Sequence, residues 1–194
     1  MNFITNYLKE TIDLLNLIDK NKISDIVNAI FKIRKKKGRI FFIGVGGSAA
    51  NAAHAVNDFR KICNIECYSP TDNVSELTAR VNDEGWENFF TSWLKTSKLN
   101  KNDMIFIFSV GGGNMKKKIS VNIVNCIKFS KKKKARVVSC VGKGDGYAAK
   151  NSDIALILPM VNKRMITPYS EQAQAIVWHL LVSHPKLKMN KTKW

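Results

Sequence analysis

The sequence lacks most of the features that mark secreted, membrane or multidomain proteins. No apolar run approaches the ~20 residues needed to span a bilayer. The first residues mix polar and apolar positions, so they lack the basic start and the uninterrupted apolar stretch of a secretory signal. The chain also has no repeats, no low-complexity linker and no Pro/Gly-rich boundary. These absences predict one domain with one core, located in the cytoplasm and without a membrane partner.

Cysteine is scarce, with four residues in 194. Cys126 and Cys140 fall in apolar stretches, which is typical of buried free thiols in a reducing compartment. Cys63 and Cys67 form a C-x3-C pair without a second pair, a pattern that disfavours a structural zinc site at these thiols.

Acidic residues are also scarce, because 15 of them face 32 lysines and arginines and leave a net charge of +17. Lysine-rich runs occupy residues 32–37, 116–118 and 131–134. No aromatic residues alternate with these runs and no nucleic-acid-binding motif accompanies them, so nucleic acid is a disfavoured partner. Each run lies in or at the end of a predicted helix, where lysine suits a solvated face and the negative end of the helix dipole. A positive surface also speeds the encounter with anionic substrates.

Buried apolar runs alternate with helical patterns along most of the chain. The strands are predicted at residues 39–44, 65–69, 104–109, 136–142 and 154–159. The helices are predicted at residues 3–19, 23–36, 48–61, 73–81, 85–95, 117–132 and 168–184. This alternation predicts a three-layer α/β/α sandwich with a five-stranded parallel sheet, flavodoxin-like or Rossmann-like, behind an N-terminal helical pair.

Two glycine-rich loops follow predicted strands. Residues 44–48 read GVGGS and open a helix, and residues 109–114 read SVGGGN. Glycine lets backbone N–H groups approach an anion closely, and the helix N-terminus adds a favourable dipole. The first loop also matches a dinucleotide fingerprint, with Glu66 downstream. Glu66 lies inside its predicted strand, however, and that motif leaves the second loop unexplained, so a compact phosphorylated ligand is favoured over a nucleotide cofactor.

With both loops placed, the chain resembles the sugar isomerase (SIS) domain family, and within it the phosphoheptose isomerases. The resemblance covers nearly the whole chain. It rests on GVGGSAANAAHAVNDFRK at residues 44–61, NDEG at 82–85, SVGGGN at 109–114 and TPYSEQAQAIVWHLL at 167–181. It implies a single domain in which residues 1–37 serve oligomerisation, residues 38–185 form the α/β core and residues 186–194 form a basic tail.

The resemblance also implies a reaction and a site. The reaction is aldose–ketose isomerisation through an enediol, converting sedoheptulose 7-phosphate to D-glycero-D-manno-heptose 7-phosphate for heptose precursors of surface polysaccharides. Asp58 and His179 match the family's proton-transferring glutamate and histidine. The residues expected to contact substrate are Gly46, Gly47, Ser48, Asp83, Ser109, Gly111, Gly112, Asn114, Thr167 and Gln172. The resemblance further implies a homotetramer.

Some family members hold a zinc ion at this position. The matching residues are His54, Asp58, Glu171 and His179, and each of them can bind a divalent metal. Gln172 is one residue along from Glu171 and seven before His179, and spacing alone does not separate the two. The sequence therefore leaves zinc binding open, and it predicts no nucleotide cofactor.

Three departures from the family pattern indicate a divergent branch. Val45 replaces a common asparagine, the second loop keeps few hydroxyl groups, and Asp58 is one methylene shorter than glutamate, which shifts a carboxylate by about an ångström. The alternatives are therefore a differently specific isomerase or a non-catalytic phosphosugar-binding protein. The sensors among SIS proteins usually carry a fused effector domain, and no such domain is evident here.

Overall fold

The computed structural model describes residues 2–192. It begins with two helices, α1 (Phe3–Leu17) and α2 (Lys20–Lys35). Both begin at side-chain caps: the Asn2 amide oxygen accepts from the N–H of Thr5, and the Asp19 carboxylate accepts from two N–H groups of α2. The predicted N-terminal helical pair is confirmed, and Met1 lies outside the described residues.

A five-stranded parallel sheet forms the centre of the molecule. Its strands are β1 (Ile40–Ile43), β2 (Cys67–Tyr68), β3 (Met104–Ser109), β4 (Arg136–Val141) and β5 (Ile154–Ile157). They lie in the order β2-β1-β3-β4-β5, and every neighbouring pair is parallel. From β1 the chain adds β2 on one side of the sheet, and it then adds β3, β4 and β5 on the other side. The direction of the connections therefore reverses between β1 and β3, which makes this the topological switch point of the sheet. The predicted fold class is confirmed.

Helices cover both faces of the sheet, as the long apolar strands require. The remaining helices are α3 (Gly47–Cys63), α4 (Val74–Glu84), α5 (Phe89–Thr96), α6 (Val121–Lys132), α7 (Tyr147–Asn151) and α8 (Ile166–Ser183), with a 3-10 turn at Lys163–Met165. One core cluster joins the sheet to α2, α3 and α8, and a second joins it to α5, α6 and α7. No described helix is both long enough and apolar enough to cross a membrane.

Two helices were predicted to begin earlier than they do. The helix expected from residue 117 begins at Val121, because Asn114 and Ile119 pair across a short turn that holds residues 115–118 outside it. The lysine run at 116–118 is therefore a surface turn and not part of a helix. The helix expected from residue 85 begins at Phe89. Gly85, which has a positive φ of +82°, ends α4 and separates the two helices.

The end of the described chain is packed rather than free. Leu187 is fully buried, and the N–H groups of Met189 and Asn190 donate to the carbonyl oxygen of Ile62 at the end of α3. This contact carries the segment predicted as a basic tail back beside α3 and α8. Lys193 and Trp194, the end of that predicted tail, lie outside the described residues.

Candidate functional site

The two glycine loops lie side by side at the switch point of the sheet. Residues 44–48 follow β1 and residues 109–114 follow β3, and these strands are hydrogen-bonded neighbours. In open parallel sheets the crevice beyond such strand ends is where ligands bind. At Gly46 and Gly111 the space that a Cβ would occupy holds nothing within 4 Å. Both loops therefore present bare backbone toward open space.

The second loop depends on left-handed backbone that favours glycine. Gly112 has φ +70° and Gly113 has φ +82°. The Ser109 hydroxyl accepts from the N–H of Gly112 at 3.0 Å, which leaves its own proton available to donate. The Asn114 side chain accepts from the N–H of Lys117 at 3.0 Å and supports the following turn. The loop is thus held from within by two of the side chains predicted to contact substrate.

A row of polar side chains, here called the polar seam, runs between α3 and α8 from the first loop and begins with Ser48, Asn51 and Gln174. The Ser48 hydroxyl is buried and donates to the side-chain oxygen of Gln174 at 3.0 Å. Asn51 donates to the backbone oxygen of Glu171 at 2.9 Å and to Gln174 at 3.3 Å. Gln174 is fully buried, and its amide nitrogen has no hydrogen-bond partner among the described residues. An unpartnered buried amide is uncommon and marks the seam as a polar site.

Sequence reasoning missed Asn51 and Gln174. A signal for Asn51 was present, because positions 47, 51, 54 and 58 are spaced as one face of a helix, so Asn51 shares a face with His54 and Asp58. Gln174 lacked such a signal, since α8 packs against several elements and its spacing alone fits more than one face.

Farther along the same seam lie His54, Asp58 and His179. One ligand atom from each lies within 4.8 Å of the others. The His54 Nε2 atom is 3.9 Å from a carboxylate oxygen of Asp58, and the two histidine ring centres are 5.6 Å apart. The three side chains line a cavity of about 440 Å³, and Asn57 and Lys61 also line it. The structure thus brings together three of the four residues predicted as metal ligands.

The tautomer of the neutral His179 ring is set by its own helix. Its Nδ1 atom lies 2.8 Å from the carbonyl oxygen of Ala175, which can only accept. The Nδ1 atom must therefore carry a hydrogen, and the neutral ring keeps its lone pair on Nε2. That lone pair can bind a metal or take up a proton. The buried Trp178 packs against both His54 and His179 and supports their rings.

Glu171 and Gln172 diverge, although they are adjacent in sequence. A Cβ built on Gly47 would lie 2.6 Å from an Oε1 atom of Glu171, so this carboxylate lies against the N-terminus of α3. A negative group is favourable there because of the helix dipole. Gln172 points the other way, accepting from the Tyr7 hydroxyl at 3.1 Å and donating to Thr11 at 3.1 Å. Gln172 thus joins α8 to α1, and neither residue belongs to the histidine group.

The remaining predicted residues lie farther out. Asp83 is exposed on α4 and accepts from the Asn82 side chain at 2.8 Å, and Thr167 is exposed in the first turn of α8. All four cysteines are buried free thiols. Burial raises the pKa of Cys63 to about 12 and raises that of Cys67 still further. A metal that needs thiolates would find neither of this pair ready to bind it.

Three features define the class of protein: the sheet order with its switch point, the paired glycine loops, and the histidine and aspartate side chains on α3 and α8. Residues 6–142 match the SIS domain, and the chain belongs to the SIS domain family. The predicted family membership is confirmed.

Within that family the chain is similar to proteins named phosphoheptose isomerase. One, from Sulfurimonas denitrificans, is 31% identical over 182 residues, which cover 90% of this chain and 86% of that protein. Phosphoheptose isomerase 2 of Campylobacter jejuni is 29% identical, with 85% and 81% covered. The solved structure of phosphoheptose isomerase GmhA from Neisseria gonorrhoeae superposes with a TM-score of 0.80 at 19% identity, covering 92% of this chain and 95% of that one.

Proposed function

We propose that the protein is an aldose–ketose isomerase of sugar phosphates, with sedoheptulose 7-phosphate as its substrate. The observation that carries this proposal is the clustering of His54, Asp58 and His179 on the polar seam that begins at the glycine loops. An isomerase of this kind needs an anion-binding cradle and two proton-transferring groups at the other end of the sugar. The names of the relatives at 29–31% identity support the same reaction.

The two ends of the polar seam have different roles in the reaction. Backbone N–H groups of residues 46–48, together with those of Gly111 and Gly113, hold the phosphate at the switch point, while the N–H of Gly112 stays bonded to the Ser109 hydroxyl. The Asp58 carboxylate removes a proton from C1 of the open-chain ketose, which gives an enediol, and the proton is returned at C2. The Nε2 atom of His179 moves the proton between the two oxygens, since Nδ1 is engaged with Ala175. Asp83 and Thr167 contact sugar hydroxyl groups.

The length of the seam supports a long sugar. Gly47 and His54 are seven residues apart on α3, an axial distance of about 10 Å. An extended seven-carbon chain with a terminal phosphate is also about 10 Å long, from ordinary bond lengths. A substrate held by its phosphate at the loops would therefore reach the histidine group with its carbonyl end.

The same group alternatively suits a divalent metal such as zinc, which would occupy the Asp58 carboxylate and the Nε2 atom of His179 in place of their role in direct proton transfer. Two imidazoles and one carboxylate are a typical catalytic ligand set with one position open. Zinc bonds near 2.1 Å place tetrahedral ligands about 3.4 Å apart, so the three side chains would close by roughly an ångström. A bound metal would polarise the sugar carbonyl as a Lewis acid. Glu171 would have to turn from Gly47 to join. Zinc content measured by mass spectrometry should fall in His54→Ala.

We further propose a homotetramer. Five apolar side chains of α1 are exposed, and three of them, Ile4, Leu8 and Ile12, are spaced four residues apart on one face of the helix; the other two are Phe3 and Leu17. Exposed apolar residues on one helix face are typical of a surface covered by another subunit. Light scattering should give four times the monomer mass, and Leu8→Lys with Ile12→Lys should reduce it. A monomeric wild-type protein would contradict this assignment.

Turnover of a panel of five- to seven-carbon ketose phosphates tests the proposed reaction. We expect the aldose to form from sedoheptulose 7-phosphate and to disappear in Asp58→Asn and His179→Gln. The control is His184→Gln, since His184 lies beyond the end of α8 and outside the cavity. Equal activity in His179→Gln and His184→Gln would contradict the proposed role of His179.

A phosphosugar-binding protein without catalysis is the second candidate. Its support is the short Asp58 side chain, which holds the carboxylate about an ångström back from where a glutamate would place it, and small misplacements of a proton-transferring group slow catalysis strongly. Stabilisation by a sugar phosphate in a thermal melt, with no aldose formed, would favour this candidate, because a ligand of the folded state raises the melting temperature.

A further inference from the structure

A second cavity, of about 490 Å³, lies at the opposite edge of the sheet from the glycine loops. Arg136 begins β4, and Lys101 lies in the turn before β3, so the cavity is at the amino ends of the strands. The glycine loops follow the carboxyl ends.

The fold gathers two distant lysine runs in this cavity. Lys32 and Lys36 come from the end of α2, and Lys131 and Lys134 come from the end of α6. These helices precede β1 and β4 and lie on opposite faces of the sheet, so both C-terminal ends reach the same sheet edge. A solvated helix face explains either run by itself. It does not explain the convergence of six cationic side chains on one concavity.

The charges in the cavity are poorly balanced. Among the residues described here, none of the six cations forms an ion pair. Asp153 is the one acidic residue in the described lining, and one of its oxygens accepts from the N–H of Val137 at 2.8 Å. Six positive charges around one small space repel each other. An anion with several charges would remove this repulsion and gain several ion pairs together.

The lining also selects among polyanions. Its apolar residues are Ala29, Ile33 and Ala135, and none of the residues between 2 and 192 that line it is aromatic. Nucleic-acid bases and single strands are usually bound by stacking on aromatic side chains, which this cavity does not offer. The cations surround a compact space rather than forming a stripe. We propose that this cavity is a second binding site, for a condensed phosphate chain recognised through its oxygens, either inorganic tripolyphosphate or the triphosphate of a nucleotide.

Calorimetric titration of the full chain with tripolyphosphate at low salt tests the site. We expect saturable binding that weakens as salt is added, because exposed charges are screened. The variant Lys32→Gln/Lys131→Gln/Lys134→Gln should bind at least about tenfold more weakly, since each exposed ion pair contributes modestly and three are lost. The matched control is Lys20→Gln/Lys95→Gln/Lys150→Gln, which removes the same charge from positions outside the cavity.

Further arms identify the ligand and exclude a folding defect. ATP should bind about as tightly as tripolyphosphate, and adenosine should not bind. Lys134 has φ +58°, which suits glycine, so Lys134→Gly should weaken binding without loss of stability. Absence of binding at low salt, or equal weakening in the control variant, would overturn the proposal. Tighter binding of an oligonucleotide, dependent on the same three lysines, would instead show a nucleic-acid surface and would also overturn it.

Discussion

The second glycine loop depends on the absence of a side chain at Gly146. A Cβ built there would overlap the carbonyl oxygen of Gly111 and lie 3.1 Å from its carbon and 3.2 Å from the Cα atom of Gly112. The backbone at Gly146, with φ −68° and ψ 161°, is one that alanine adopts readily. The variant Gly146→Ala therefore introduces a steric conflict with the loop and no conformational strain of its own.

The magnitude follows from which atoms must move. The overlapping group is backbone, so it cannot rotate aside as a flexible side chain would, and the loop has to shift. Overpacking of this kind costs about 1–3 kcal/mol of unfolding free energy. For a chain of this length each kcal/mol lowers the melting temperature by about 2–4 °C, so we expect a fall of about 2–12 °C. The loop that supplies phosphate-binding N–H groups should shift as well, and sugar-phosphate affinity should fall.

Gly144 provides a matched control two residues away. A Cβ there would meet only methyl groups of Ile157, at 3.3 and 3.7 Å, so Gly144→Ala should change stability by less than about 0.5 kcal/mol. Thermal melts with and without a sugar phosphate compare the two variants. If Gly146→Ala melts and binds like Gly144→Ala, the packing of this loop and its role as a cradle are both refuted.

Three further predictions concern side chains around the seam and the helix ends. Glu171→Gln should tighten sugar-phosphate binding up to about fivefold in titrations, because a carboxylate at the N-terminus of α3 competes with an anion for the same dipole. Hydrogen bonds from Tyr169, at 2.6 Å, and from Asn162 hold the pKa of Glu10 below 4.5. The stability from this contact should be present above pH 4.5 and lost as the pH falls through the lowered pKa, so wild type and Glu10→Gln should differ at neutral pH and converge in acid denaturation curves. Lys134→Gly should raise the unfolding free energy by about 1 kcal/mol, since lysine is strained at φ +58°, and a lower melting temperature would contradict this.

Much of the fold was predictable because long apolar runs and glycine stops are strong signals. All five strands were placed, and β3 has the predicted bounds. The errors came from weaker signals. The helix expected from residue 117 begins later because Ser120, at φ +45°, and the Asn114–Ile119 pairing interrupt an otherwise helical run of lysines. The short helix α7 was missed because five residues carry too little periodicity.

For the site, the spacing of His54 and Asp58 predicted a shared helix face, and the family resemblance added His179 from the last helix. The structure brings the three side chains together. The ambiguity between Glu171 and Gln172 could not be resolved from spacing, since α8 packs against α3 on one side and α1 on the other. Only the packing shows that Glu171 faces Gly47 and that Gln172 faces Tyr7.

Hydrogen exchange into the substrate tests the central claim most directly, because it reports proton transfer itself. The protein is incubated with sedoheptulose 7-phosphate in D2O and followed by NMR. We predict deuterium at C1 of the ketose and at C2 of the aldose, with both signals absent in Asp58→Asn and His179→Gln and retained in His184→Gln. No deuterium in any five- to seven-carbon ketose phosphate, or undiminished exchange in His179→Gln, would contradict the account.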